Sequence, residues 1–543
     1  MEEIKKDSKK ETFMQGVMAL IFSQVLIKIL GLIYKIYLTN RENFGDAGNA
    51  IYNSGYQIYA LLLTLSSIGI PNAISKLVSE KLANGDRAGA HRVFKIAFIT
   101  FAILGLIGTC ALFFGANFIA KVWLAQDNAE LTLMALSPAI FFVSIASVIR
   151  GYYSGISKLK VSANSQTYEQ LSKTILTVIL VEIVAHFTAS NTKLMAAGAT
   201  VATSLATFFS FFYLYMCYKI EKKQDKKIIH VKENNKVKGE TVISVLKKIL
   251  AVSIPISITA LLSSINKNVD SFTVVRFLTP TLGYDTATKL YGILGGKVDT
   301  LTSLPLSFNV AFATALVPAL ATAKVKNDTN TINRRISFSL MLTILIGLPC
   351  TIGMALFANE ILLILFPTTP EGGVLLAISA FTIIFTVLSQ TINGALQGLG
   401  KVKIPAIALG CGVFAKILCN VFFIPTALGA NAAALGSVIC HIIAFTIGYI
   451  ALRKTVKLNF SLIRLLIKPC IATGIMAIIS YNLYKVLLNV VSVRLSAIIA
   501  MVVAVIIYVI LIIVLKVLSK EDMKSLPFGD KICRILEKLK IYK

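Results

Sequence analysis

VIRGYYSGISKLKVSANSQTYEQLSK (Val148–Lys173) is matched further along the chain by TINGALQGLGKVKIPAIALGCGVFAK (Thr391–Lys416). Gly151 pairs with Gly394, Gly155 with Gly398, Lys158 with Lys401, Lys160 with Lys403 and Lys173 with Lys416. Gly394 lies 243 residues beyond Gly151, and every other pair keeps that offset. Random apolar sequence would rarely repeat glycines and lysines together in one register. Each copy reads as an apolar helix, a short Gly/Lys turn and a second apolar helix with one lysine inside it. Two similar halves are the expected organisation.

Working outward, 56% of the 543 residues are hydrophobic, 15% are charged and the mean hydropathy is +0.78. That is far more apolar than an average soluble domain. Apolar runs long enough to cross a ~30 Å hydrocarbon core recur along the whole length. The expected fold is an all-α integral membrane protein of about fourteen spans. Their approximate limits are 13–36, 50–72, 92–114, 131–151, 161–187, 195–218, 245–278, 288–322, 336–358, 374–399, 403–426, 430–452, 462–486 and 493–517. Six spans separate the repeat copies, so both halves cross in the same sense, as parallel repeats do. Pro71 near the end of the second span is expected to match Pro318 at the end of the eighth. The domains follow: a first six-helix lobe at 1–218, a basic loop at 219–244, a second lobe at 245–452, two extra spans at 453–518 and a tail at 519–543. In the tail, Asp530–Lys543 has the apolar spacing of a helix lying on a membrane surface.

A net charge of +28 would suggest a nucleic-acid partner in a soluble protein. Here the Lys and Arg residues gather in alternate loops, which the positive-inside rule assigns to the cytoplasm together with both termini of a plasma-membrane protein. Nucleic acid is therefore excluded as a partner, and anionic membrane lipid is expected instead. The eight cysteines stand singly without metal-ligand spacing, so no metal site or disulfide framework is expected. No nucleotide-binding loop, metalloprotease motif or Ser/His/Asp set occurs. The chain is read as a transporter, not an enzyme. It needs no cofactor, and its energy comes from Na+, H+ or the membrane potential.

Charges inside apolar spans carry the chemistry, because each is costly unless paired or facing water. Lys28 is mid-span in FSQVLIKILGLIY, Lys173 and Lys416 hold equivalent places in spans five and eleven, and Lys297 is in span eight. Asp270 is in span seven, and Arg150 ends span four. Four lysines around a cavity suit an anion, phosphate or pyrophosphate above all. Such a chamber requires that Lys28, Lys297 and Lys416 are not each locked against an acid. Plainer readings stand beside this one. Glu169 is four residues before Lys173 and could pair with it along one face. Arg150 could anchor the cytoplasmic end of its helix. Glu182 is expected to bond locally to His186.

The residues KILGLIYKIYL in span one, FGDAG (Phe44–Gly48), GIPNAISKLVSE (Gly69–Glu80) and RGYYSG (Arg150–Gly155) resemble the MOP flippase superfamily. The resemblance is to its stage V sporulation protein B and MurJ-like lipid II flippase branch. It implies translocation of an undecaprenyl-pyrophosphate-linked saccharide, the peptidoglycan precursor first, with cell-wall synthesis proteins as possible partners. It implies that Lys28, two positions before Leu30-Gly31, is a headgroup contact; the charges within and at the ends of spans add Lys173, Lys297, Lys416 and Arg150 as expected substrate-binding residues. Asp270 matches an acidic residue of a sodium site, and Lys416 and Asn420 align with its span-eleven partners. An ion pair between Lys416 and Asp270 is the expected replacement for that metal. The family's span-two arginine has no match among Gln57, Ile58 and Tyr59, and its span-eight arginine is replaced about one turn away by Lys297. The alternatives are a multidrug and toxin extrusion antiporter of opposite substrate charge, a flippase for teichoic-acid or exopolysaccharide precursors, and a non-transporting scaffold.

Overall fold

A membrane-spanning segment must satisfy its backbone internally, and the helix does so within one segment. In the computed structural model, which describes residues 13–64, 70–156, 158–229, 241–456, 458 and 461–518, the ordered elements are helices, with no strand among the described residues. The chain divides into two compact units, Met1–Lys297 and Val298–Lys543.

The first unit contains α1 (Phe13–Asn40), α2 (Gly45–Thr64), α3 (Ile70–Ala83), α4 (Arg87–Phe118), α5 (Glu130–Gly155), α6 (Leu159–Phe187), α7 (Thr192–Ile229), α8 (Val242–Leu282) and α9 (Tyr284–Gly292). A π-helical segment, Ile293–Val298, follows, and the units divide within it. The second unit contains α10 (Asp299–Val325), α11 (Thr329–Leu356), α12 (Ala358–Leu365), α13 (Gly373–Gly398), α14 (Ile404–Phe423), α15 (Ala430–Thr455), α16 (Leu462–Leu487) and α17 (Val493–Val514). Eleven helical stretches among the described residues are long and apolar enough to cross a membrane. The expected spans at 50–72, 245–278 and 288–322 are not among the eleven. The first of these is divided between α2 and α3, and α2 carries Asp46, Asn49, Asn53 and Ser54 on buried positions. The sixth expected span ends near 218, but its helix continues to Ile229. The tail at 530–543 and the part of the basic loop at 230–240 lie outside the described residues.

The two halves repeat each other at the level of single hydrogen bonds. After α5, the Ile156 amide donates to the Tyr152 carbonyl (3.1 Å) and Lys158 to Tyr153 (2.9 Å); after α13, Leu399 donates to Ala395 (3.0 Å) and Lys401 to Leu396 (2.8 Å). Between α3 and α4, Gly85 has φ +74° and the Asp86 carboxylate caps the Gly89 amide at 2.7 Å. Between α10 and α11, Asn327 has φ +52° and Asp328 caps the Thr331 amide at 2.9 Å. The hydroxyl of Thr331 and its amide together hold the Asp328 carboxyl below its usual range. These paired turns differ by 242 residues, so one residue separates the two registers of the repeat.

Glycine makes the tight crossings. A methyl on Gly151 would stand 2.8 Å from the Cα and carbonyl oxygen of Pro71, and one on Gly394 would stand 2.5 Å from the Ala313 carbonyl oxygen. Pro71 therefore corresponds to Ala313, not to Pro318 as the spacing of prolines suggested. Four residues on, Gly155 meets Val78 in the same way that Gly398 meets Val317 and Leu320. The cores follow suit. Ile74, Val78, Phe94, Ile149 and Tyr153 pack in one unit, and Leu316, Leu320, Ile336, Ile392 and Leu396 pack in the other. Helices α16 and α17 have no counterpart among the described helices of the first unit. They pack on each other and on α11, where the Tyr508 hydroxyl donates to the Leu345 carbonyl at 3.0 Å.

Since the obstructing atoms at both glycines are backbone, Gly151→Val and Gly394→Val should each destabilise their unit by about 1–3 kcal/mol or more. Thermal unfolding of the purified protein in detergent measures this; a variant at either site that melts like the parent would contradict the close crossing.

Candidate substrate-binding site

Three side-chain contacts, one buried, one part-buried and one exposed, set α1 and α6 parallel and in register. The Ser23 hydroxyl donates to the Ala163 carbonyl at 3.1 Å, the Thr174 hydroxyl approaches the Leu30 carbonyl at 3.5 Å, and Arg41 meets Glu182 at 2.8 Å. Lys28 on α1 is thereby brought level with Gln170–Lys173 on α6, in the middle third of both helices.

Lys173 is 5% exposed, and its neighbours are aromatic. Its Nζ is 4.1 Å from the ring centre of Tyr56, 5.3 Å from Tyr34 and 5.9 Å from Tyr52. Tyr52 and Tyr56 are stacked at 5.7 Å because they are four residues apart on one face of α2. The ring faces are electron-rich and attract the ammonium electrostatically. Lys35, two turns beyond Lys28 and also 5% exposed, sits 4.4 Å from the Tyr52 ring centre. It donates to Asn53 Oδ1 at 2.7 Å and Asn49 Oδ1 at 3.3 Å. Tyr52 thus faces two ammonium groups, one from α1 and one from α6.

Lys28 differs from both. It is half-buried, and it forms no hydrogen bond or ion pair among the described residues. The charge that acts on it most is another cation, the exposed Lys267 of α8.

The other expected contacts are engaged with the protein itself. Arg150 donates from Nε to Ser165 Oγ at 3.0 Å and from Nη2 to Glu169 at 2.6 Å and Ser210 Oγ at 2.8 Å, tying α5 to α6 and α7. Glu169 consequently serves Arg150, and the expected pairing of Glu169 with Lys173 does not form. Lys297 is fully buried, with Nζ 2.8 Å and 2.9 Å from the two carboxylate oxygens of Asp46. It was expected to hold phosphate; its geometry is that of a structural latch. Asp46 is in the first turn of α2, where the helix dipole also favours a carboxylate. The glycines before Lys297 let α2 come close enough: a methyl on Gly292 would overlap the Asp46 carbonyl oxygen, and one on Gly296 would stand 3.0 Å from Asn49. Glu182 is bonded to Arg41 and Tyr37 across to α1, instead of to His186.

Asp270 belongs to α8 in the first unit, at 8% exposure. Lys416 and Asn420, one turn apart on α14, are buried in the second unit, where Lys416 lies against Gly436 of α15.

Sequence reading missed Lys35, Lys267 and the three tyrosines. A signal was present for some of them: Tyr52 and Tyr56 are one helical turn apart, and Lys35 follows Lys28 by two turns. Asp46 was missed because its partner is 251 residues away and nothing local announces it.

Comparison with known proteins gives a consistent result. Residues 13–324 match the model described as polysaccharide biosynthesis protein, and residues 296–422 match the MatE model. Stage V sporulation protein B of Bacillus subtilis (strain 168) is 26% identical over 380 residues, covering 69% of this chain and 71% of that protein. The lipid II flippase MurJ of the same organism is 23% identical over 468 residues, covering 83% and 84%. Among solved structures, lipid II flippase MurJ in an inward closed conformation aligns with TM-score 0.69 and 18% identity over 92% of this chain and 98% of that one. A multidrug resistance MATE family transporter of the MOP superfamily, inward-facing, aligns with TM-score 0.62 and 16% identity over 82% and 99%.

Lys297→Met leaves the Asp46 charge buried without its counter-ion and should cost about 3–5 kcal/mol, whereas Asp46→Leu combined with Lys297→Met should recover most of that loss. Melting temperatures of the three proteins decide it: a single variant as stable as the parent, or a double variant no better than the single, would show that the pair is not a latch.

Proposed function

The chain belongs to the polysaccharide biosynthesis protein family within the MOP flippase superfamily, and from that we propose that it is a flippase for an undecaprenyl-pyrophosphate-linked saccharide, lipid II first among such lipids. The observation that supports this most directly is Lys28: a half-buried ammonium in a spanning helix, without an acid, facing a second cation and level with the buried Lys173. Like charges held together in a low-dielectric setting are stabilised by an anion arriving between them. A pyrophosphate supplies two negative centres and several acceptor oxygens, enough for Lys28 and Lys267 at once. The tyrosine-flanked Lys173 adds a fixed positive field that needs no side-chain rearrangement when the substrate binds. The sugar is carried through the wet cavity with the phosphates while the prenyl tail remains in hydrocarbon.

The protein works in the bacterial plasma membrane with its lysine-rich loops and both termini in the cytoplasm, as the charge bias implies. Alternating access is driven by an ion gradient or the membrane potential. A cation antiporter would want buried carboxylates available to its substrate. In the first unit, Asp46 and Glu169 are already neutralised by Lys297 and Arg150, which leaves the buried Asp270 as the carboxylate on which that reading would depend.

Lys28→Ala should lower headgroup translocation about tenfold or more, the scale of losing one charged hydrogen bond, while Lys28→Arg keeps most of it. Rescue of cells depleted of their own lipid II flippase, with headgroup accessibility measured outside, provides the readout. Full activity of a normally inserted Lys28→Ala protein would overturn the assignment. Export of cationic dyes by the wild type, without headgroup translocation, would favour the antiporter.

A further inference from the structure

One side of the first unit carries two cavities stacked along the same seam, where α3 and α4 meet α8. The one at the lysine-rich end has a volume of about 170 Å³ and is lined by Glu80, Lys81, Asn84, Val93, Val245 and Lys248. The other, of about 380 Å³, lies deeper and is almost entirely apolar, with Phe101 and Leu104 on one wall and Leu250, Ile254 and Ile258 on the other. Its floor includes the buried hydroxyls of Ser253 and Ser257. Val245 to Leu250 on α8, Val93 to Phe101 on α4 and Leu77 to Ile70 on α3 each connect the two cavities. At 1.5 Å per residue these intervals are about 7–12 Å.

From this arrangement we propose that the α4–α8 seam is a binding site for one anionic diacyl phospholipid, its phosphate held beside Lys81 and Lys248 and one acyl chain in the apolar groove. Two independent observations lead to it. The first is shape. The deeper cavity is a groove in a face that is otherwise lipid-exposed: Leu104, Leu250, Ile254 and Ile258 are each about half exposed, and the three α8 residues recur every four positions as a stripe. A methylene chain fits such a groove, and its volume falls within the range of ligand pockets. The second is charge. Lys81 meets Asp86 at 3.3 Å and Lys76 meets Glu80 at 3.9 Å, but Lys248 in the lining and the exposed Arg92, Lys95 and Lys247, on the same stretches of α4 and α8 as the lining residues, leave these segments net positive. A cluster of this kind at a membrane surface selects anionic headgroups. The separation of the two cavities is that of a lipid phosphate from the upper part of its chain. A zwitterionic lipid would satisfy the groove and gain nothing from the lysines.

The site is separate from the Lys28 region and does not depend on the substrate proposed above. It does share α8 with it, because Lys267 and Asp270 lie less than three turns beyond the groove-lining Leu261. An occupant that fixes α8 against α4 therefore fixes one wall of the cationic site.

The full-length protein, delipidated in detergent, can be titrated with phosphatidylglycerol and with phosphatidylcholine of the same chains, and lipid adducts counted by native mass spectrometry. The expected result is one adduct retained at least fivefold more strongly for phosphatidylglycerol. Lys248→Gln with Lys81→Gln should abolish that preference and leave the weaker chain affinity. Ser257→Trp, which fills the groove, should weaken both lipids. Should Ser257→Trp fail to fold, a phosphatidylglycerol carrying a photoreactive diazirine on its acyl chain is applied to the wild type, and labelling must fall on α4 and α8. Equal retention of the two lipids, a preference that survives the double lysine variant, or labelling confined to other helices would overturn the proposal.

Discussion

An ammonium group in hydrocarbon must find an opposite charge, a set of acceptor oxygens, an electron-rich ring or water, and the first unit depends on how each of its lysines meets that demand. Lys297 is held by both oxygens of Asp46. Lys35 rests on two asparagine oxygens and a tyrosine face, and Lys173 on three tyrosines. Each solution fixes helices as well as charge: α2 to the π segment, α1 to α2, α6 to α2. Lys28 is the remaining case of the four, with no hydrogen bond or ion pair among the described residues, and the anionic substrate proposed above would meet the same demand.

The duplication explains why the scaffold is rigid where it needs to be. Paired glycines bring α5 against α3 and α13 against α10 at backbone distance, and the turns that follow use the same carbonyls in both halves. The buried lysine of the repeat survives in both copies but in different company. Lys173 is surrounded by rings, whereas Lys416 is packed against a glycine of α15 beside Asn420. One ancestral position has therefore been put to two uses, and the difference in polarity between halves resides in the neighbours more than in the lysine.

Much of this was legible from residue order because membrane helices are long and their periodicity is strong. The repeat register, the helical class and the placing of Lys28 and Lys173 inside helices all come from patterns within a single helix or from fixed spacing. The pairing of charges was not legible. Glu169 stands one helical turn before Lys173, an arrangement that favours a local pair, yet Arg150 from α5 reaches it with better geometry and two serine partners. Lys297 looked available because its acid is 251 residues upstream, in the first turn of α2 and just before the expected start of the second span. Proline spacing misled for a related reason: close crossing is governed by what lies opposite a glycine, and opposite Gly394 that residue is Ala313.

The bond between Asp46 and Lys297 has a consequence for biogenesis. Helix α2 is synthesised early and carries a carboxylate, two asparagines and a serine on buried positions, none of which hydrocarbon will accept unaided. Its acid is neutralised only after Lys297 has left the ribosome, some 250 residues later. Until then the Asp46 carboxylate lacks the ammonium that neutralises it in the folded unit. The amino-terminal half is thus committed late, and its completion coincides with the start of its duplicate.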